Sequence, residues 1–179
     1  GLAVAATGLV LMLVALPRLE HGSNRVVGVA GGLIAIAALA FSGHAATTEP
    51  RWLMRWVVPL HALCAAFWLG SLPVLAAALR AEPADRAVRL VDRFSAHAIG
   101  AVAVILALGA VLAVVQVAHV AMLWQSAYGA ALLGKLATVA LLLGVAIHNK
   151  WWRTPRIATD AAALPGLRRA IRIEYALFA

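Results

Sequence analysis

Along the chain, apolar positions fall into long uninterrupted runs, and polar positions gather in the short stretches between them. Six runs are legible: a, about 1–16; b, about 26–46; c, about 52–79; d, about 94–119; e, about 127–149; and f, starting near 168. A bilayer core about 30 Å thick is crossed by about 20 helical residues. Runs b to e reach that length, while a is cut short at its start and f at its end. The runs lack the period-2 alternation of an outer-membrane barrel strand. Hydrocarbon offers no partner to backbone N–H and C=O groups, so a spanning segment must satisfy its own, as a helix does. The pattern predicts an all-α fold: a polytopic transmembrane helical bundle with about five complete or near-complete spans plus a truncated sixth.

The breakers fit this plan. Pro17, Gly22, Ser23 and Asn24 separate a from b; Glu49 and Pro50 precede c; Glu82 and Pro83 follow it; Pro155, Pro165 and Gly166 lie between e and f. Pro59 and Pro73 fall inside c and predict a kink or local irregularity. Gly28, Gly31 and Gly32 in b, and Gly100 and Gly109 in d, predict close helix–helix contact.

Charge adds orientation. The connections a–b, c–d and e–f must share one side of the membrane. They hold Arg18 and Arg25; Arg80, Arg86, Arg89 and Arg93; and Lys150, Arg153, Arg156, Arg168, Arg169 and Arg172. The connections b–c and d–e hold only Arg51 and Arg55. The cytoplasmic side carries the excess of Lys and Arg, so 17–25, 80–93 and 150–168 are expected there. Trp52, Trp56, Trp124, Trp151 and Trp152 fall near the resulting interfaces, as an aromatic belt would.

Composition narrows the class. The chain is 64% hydrophobic and 12% charged, against about half and about a quarter for soluble domains. The net charge of +8 is accounted for by the connections, and with no nucleic-acid-binding motif or basic helix no nucleic-acid partner is expected. The lipid bilayer is. A lone cysteine, Cys64, rules out an internal disulfide. Residues 1–179 read as a single bundle. The chain opens inside an apolar run without Met and stops where run f begins, so a longer parent chain is expected.

An ionisable residue inside a membrane is costly and is a functional candidate by default. Toward the outer side lie His44, His61 and His119, with Met54 and Met122 at similar depth; toward the inner side lie His97, His148 and Glu174. His21 falls in an inner connection, and Lys135 lies about two turns into e. Imidazole suits copper, and thioether sulfur favours Cu(I). His44 and His61 flank one short connection, so their helices are expected to be neighbours. Together they form the leading candidate metal site, with His119 or Met54 as further ligands and Cys64, three residues after His61, as another soft donor. Met54, Met122 and Cys64 read more readily as packing than as ligands, and His119 more readily as an ordinary interfacial residue. His97 with Glu174 forms a candidate inner polar site. The same His44–His61 pair could instead ligate haem b axially, in a membrane redox protein. A third reading is a structural or assembly subunit of a larger membrane complex. No Ser/His/Asp set, phosphate loop or suitably spaced acid pair is present, so no enzyme is expected.

The runs SGHA (Ser42–Ala45), HALCAAFWLGSLPVL (His61–Leu75), RFSAHA (Arg93–Ala98), YGAALLGKLATVALLLGVAIHNKWW (Tyr128–Trp152) and LRRAIRIEYAL (Leu167–Leu177), in that order, resemble the copper resistance protein D family over about 42–179. The resemblance implies a multi-pass protein of the bacterial cytoplasmic (inner) membrane. It also implies a role in copper uptake or delivery, with a periplasmic copper carrier or other membrane subunits as partners. By position, the family's GHA histidine falls on His44, its helix histidine on His61 and its late glutamate on Glu174. The chain lacks the dense Met-rich loop of a high-capacity copper store.

Alkaline phosphatase folds only in an oxidising compartment. Fused within 120–126 it should be active, and fused within 160–166 inactive. The reverse pattern would invert the orientation.

Overall fold

The computed structural model describes residues 2–15, 22–41, 47–117, 121–159, 165–167 and 169–171. Among them every regular element is helical and none is a strand. They are α1 (Leu2–Ala15), α2 (Gly22–Ala37) with a 3-10 turn at Ala38–Phe41, α3 (Arg51–Ala81), α4 (Ala84–Gln116), the short α5 (Met122–Gln125) and α6 (Ala127–His148). A π-helical turn (Asn149–Arg153) and α7 (Thr154–Thr159) follow α6. Residues 165–167 and 169–171 are also helical.

Among the described residues, four helices are long and apolar enough to cross a bilayer: Gly22–Phe41, Arg51–Arg80, Asp85–Gln116 and Ala127–Arg156. They correspond to runs b, c, d and e. Run a forms α1, whose 14 residues rise about 21 Å. Most of run f lies outside the described residues.

Three boundaries differ from expectation. The c–d connection, expected at 80–93, narrows to Glu82 and Pro83, because the charged stretch from Ala84 is the start of α4. There Ala87, Val91 and Ala98 are buried, one helical face in steps of four and seven. The charges pair along the exposed side, Arg86 with Glu82 at 3.6 Å and Arg89 with Asp85 at 2.8 Å. The a–b connection is also shorter, since α2 begins at Gly22. The e–f connection shortens as well, because helix continues through Pro155. A proline has no N–H to return to the carbonyl four residues back. The π turn absorbs this defect: the Thr154 N–H reaches Asn149 O, five residues back, and the Thr154 hydroxyl donates to the same oxygen at 2.9 Å. Pro59 and Pro73, by contrast, leave α3 unbroken.

Helix starts are capped locally. Glu49 Oε2 accepts the Arg51 N–H at 3.0 Å, and Ser126 Oγ accepts the Gly129 N–H at 2.9 Å. Each satisfies a donor that a helix start leaves open.

The described chain divides into two compact units, with the division falling inside α3 and α4. The first comprises Gly1–Cys64 and Val104–Gln116. In it, α1 and α2 touch backbone to backbone: a Cβ on Gly31 would lie 2.6 Å from Gly8 O, and one on Gly8 would lie 2.6 Å from Gly31 O. Small residues permit such an approach. Also in this unit, Met54 and Val57 of α3 form a buried cluster with Leu108, Val111, Leu112 and Val115 of α4. The Arg55 guanidinium lies 6.0 Å from the Phe41 ring centre, so Phe41 and the first turns of α3 come close.

The second unit comprises Ala65–Ala103 and Val117–Ala179. Its buried residues include Trp68, Leu72, Leu75 and Leu79 on α3, Ala87, Val91 and Ala98 on α4, and Leu142 on α6. Gly100, expected at a helix contact, has open space where a Cβ would stand.

Apolar side chains also cover the exterior: Val10, Val14, Val26, Val29, Val74 and Val114 are all exposed. An exterior this apolar matches a lipid solvent rather than water. The five tryptophans expected at the interfaces are exposed, and Trp68 alone among the six is buried.

Gly31→Leu should force α1 and α2 apart at a cost of about 1–3 kcal/mol or more, read as lost resistance to denaturant in micelles. Gly100→Leu, with open space around it, should leave stability within about 0.5 kcal/mol.

Candidate functional site

Helix α3 carries the candidate chemistry. Its Leu- and Ala-rich sequence favours helix, and the N–H groups of Leu53 and Met54 close its first turn on Pro50 O at 3.0 and 3.2 Å. Met54, Val57, His61 and Cys64 follow one another at steps of three and four. That spacing places them on one face of the helix.

His61 lies on that face, about three turns into the helix. Its ring is half-buried and its Nδ1 atom is buried. The ring lies over Gly109 of α4: a Cβ there would stand 3.4 Å from His61 Cε1 and 3.9 Å from Nδ1. Gly109, expected only as a helix-contact glycine, thus lies directly beside the candidate ligand. Sequence alone offers no sign that it faces a particular side chain.

Met54 is completely buried in the α3–α4 cluster, with aliphatic neighbours. The unbranched thioether fills that gap as methionines do in cores. Cys64 is half-buried. His44 and His119 lie outside the described residues, as does Glu174.

In the second unit His97 is exposed, and its Nδ1 lies 2.8 Å from Arg93 O on the preceding turn. A carbonyl only accepts, so Nδ1 carries the proton and Nε2 is the nitrogen with a lone pair when the ring is neutral. Lys150 Nζ reaches Asp92 Oδ1 at 3.1 Å, tying the charged start of α4 to the end of α6. Both groups are partly exposed, so the pair contributes about 1 kcal/mol or less. His148 stacks on Trp152 with ring centres 5.7 Å apart. Asn149 and Thr154, at the π turn, are buried. Run e is expected to end near 149, and the turn carries helix past that point; Pro155 so soon after NKWW is the available signal. Lys135 is exposed on α6.

Among the described residues, no group of three or more His, Cys, Asp or Glu side chains converges. The described carboxylates Glu49, Glu82, Asp85 and Asp92 all sit at or near helix ends. The donors on the candidate face are imidazole, thioether and thiol. Such a set suits a soft cation of low coordination number, Cu(I) above the hard oxygen-seeking ions.

Residues 88–179 match the family model of copper resistance protein D. The copper transport protein CutJ of Bacillus subtilis (strain 168) is 33% identical over 148 residues, covering 79% of this chain and 26% of that protein. The copper resistance protein D of Pseudomonas syringae pv. tomato is 30% identical over 172 residues, covering 89% of this chain and 55% of that protein. The chain therefore spans little more than half the length of one relative and far less of the other. No solved structure matches it.

Met54→Leu keeps volume and apolarity and should cost less than about 1.5 kcal/mol, whereas Met54→Ala should cost about 2–5 kcal/mol. Denaturant titration in micelles measures both. If the two variants proved equally stable, the packing account of Met54 would fail.

Proposed function

The chain belongs to the copper resistance protein D family, and from that premise we propose that it is a copper-handling membrane protein. In this reading it takes copper from the outer side of a bacterial inner membrane. It passes the ion across, or hands it to a partner cuproprotein, with a periplasmic copper carrier as the donor. Copper is cargo here, and the chain acts as a binder and conductor rather than an enzyme.

The observation that carries the reading is His61. An imidazole in the apolar part of a membrane helix loses hydration that lipid does not replace. Imidazole is a good ligand for copper, and a soft metal ion is well matched to it there. We assign His61 and His44 as the primary ligands, with His119 available near the same side. Met54 shares the His61 face, and coordination by its sulfur requires the aliphatic cluster around it to open. His97, with Glu174, forms the inner polar site in this proposal, where the ion would leave the hydrocarbon. The apolar exterior keeps water from competing for the ion along the way.

The orientation has support of its own. Asp92 lies near the start of α4 and Lys150 just after α6, and their ion pair requires those two helix ends to meet. The Lys/Arg distribution supports reading that shared side as the cytoplasmic one. The chemistry of the two ends differs accordingly: soft donors toward the outside, and charged groups that water can reach toward the inside.

Metal analysis of the purified protein, beside His44→Ala and His61→Ala, tests the proposal. Copper should be bound by the unsubstituted protein and reduced in each variant, with copper sensitivity of the cells altered in parallel. Unchanged copper content and phenotype in both variants would remove this reading. A Soret band lost with His61→Ala would reassign the imidazole to haem.

A further inference from the structure

Helix α4 is longer than a bilayer needs. Ala98–Gln116 carries no charged residue and alone rises about 28 Å, close to the thickness of the hydrocarbon core. The preceding part of the same helix, Ala84–His97, adds about 20 Å. It holds Asp85, Arg86, Arg89, Asp92, Arg93 and His97, a density of ionisable groups that hydrocarbon does not admit. This part of α4 therefore runs through the headgroup layer and beyond it.

One side of the segment is committed to packing, since Ala87, Val91 and Ala98 are buried. The other side carries Arg86, Arg89, Arg93 and His97, all exposed. Their steps of three and four make one stripe along the helix. Arg86 and Arg89 lie beside Glu82 and Asp85, in exposed pairs that hold weakly. Arg93 pairs with no acid among the described residues. The Lys150–Asp92 pair brings the end of α6 to the level of Arg93. Trp151 and Trp152 follow Lys150 directly and are exposed. Exposed indoles favour the headgroup level of a membrane, so Arg93 stands at that level too.

We propose that this stripe, centred on Arg93, docks the phosphate group of an anionic phospholipid in the leaflet around this end of the helices. The planar guanidinium fork matches phosphate, to which it can donate two parallel hydrogen bonds. A choline lipid also carries a phosphate, but its own ammonium offsets the charge, so the stripe prefers lipid of net negative charge. Depth decides between a lipid and a soluble acidic protein. The tryptophans put Arg93 among headgroups, where phosphate is already concentrated and a protein would first have to displace lipid. The proposal goes beyond the copper reading and does not depend on it.

The full chain is reconstituted in phosphatidylcholine vesicles that contain a minor fraction of dibrominated phosphatidylglycerol or dibrominated phosphatidylcholine. Bromine quenches a neighbouring indole. The share of quenching absent from the Trp151→Phe/Trp152→Phe double variant reports on this site. Phosphatidylglycerol should be enriched there about fivefold over phosphatidylcholine, the scale of one basic residue's attraction to an anionic surface. Arg93→Gln should bring that ratio close to one, and Arg51→Gln, at the opposite end of α3, should leave it unchanged. A ratio near one in the unsubstituted protein overturns the proposal, whether or not any variant folds. An undiminished ratio in a folded Arg93→Gln protein does the same. A ratio near one, with fluorescent polyglutamate bound in a manner that requires Arg93, overturns it in favour of an acidic protein partner.

Discussion

Hydrocarbon offers no hydrogen-bond partner, and the organisation of this chain follows from that deficit. Backbone groups crossing the bilayer must pair within their own segment, and the long helices do so. Where a residue breaks the rule, the structure compensates locally. Pro155 has no N–H to give, and the backbone answers with one wide turn in which Thr154 bonds to Asn149 through both its amide and its hydroxyl. Glu49 and Ser126 close the first turns of α3 and α6 for the same reason.

The same deficit governs side chains. Charged groups gather at helix ends and pair there, Asp85 with Arg89 and Asp92 with Lys150. Apolar groups face outward as freely as inward, because lipid is as good a solvent for them as the protein interior. Hydrophobicity therefore does little to hold the helices together, and contact depends on shape. Gly8 and Gly31 bring two backbones into direct contact. Gly109 serves a different partner, the imidazole of His61. The residue type is the same in both cases, and only the neighbour tells a structural glycine from one beside a ligand.

His61 sits on a face whose other members are a thioether, a thiol and a valine, and no carboxylate among the described residues shares it. That composition disfavours hard ions. The similarity to copper resistance and copper transport proteins is in keeping with that chemistry.

The amino-acid pattern alone determined the helical membrane class, the approximate extents of runs a, c and e, and the exposed tryptophans. These follow from composition and spacing, which act through a solvent uniform along the chain. Where α4 begins was legible only in hindsight: charge implied a connection, while a buried face of Ala87, Val91 and Ala98 extended the helix beneath it. The π turn through Pro155 depended on how neighbouring backbone groups could share one carbonyl. Which glycine would face a backbone, which an imidazole and which open space was decided by tertiary contact alone. A missing side chain carries no direction of its own, so only the packed neighbours give it a role.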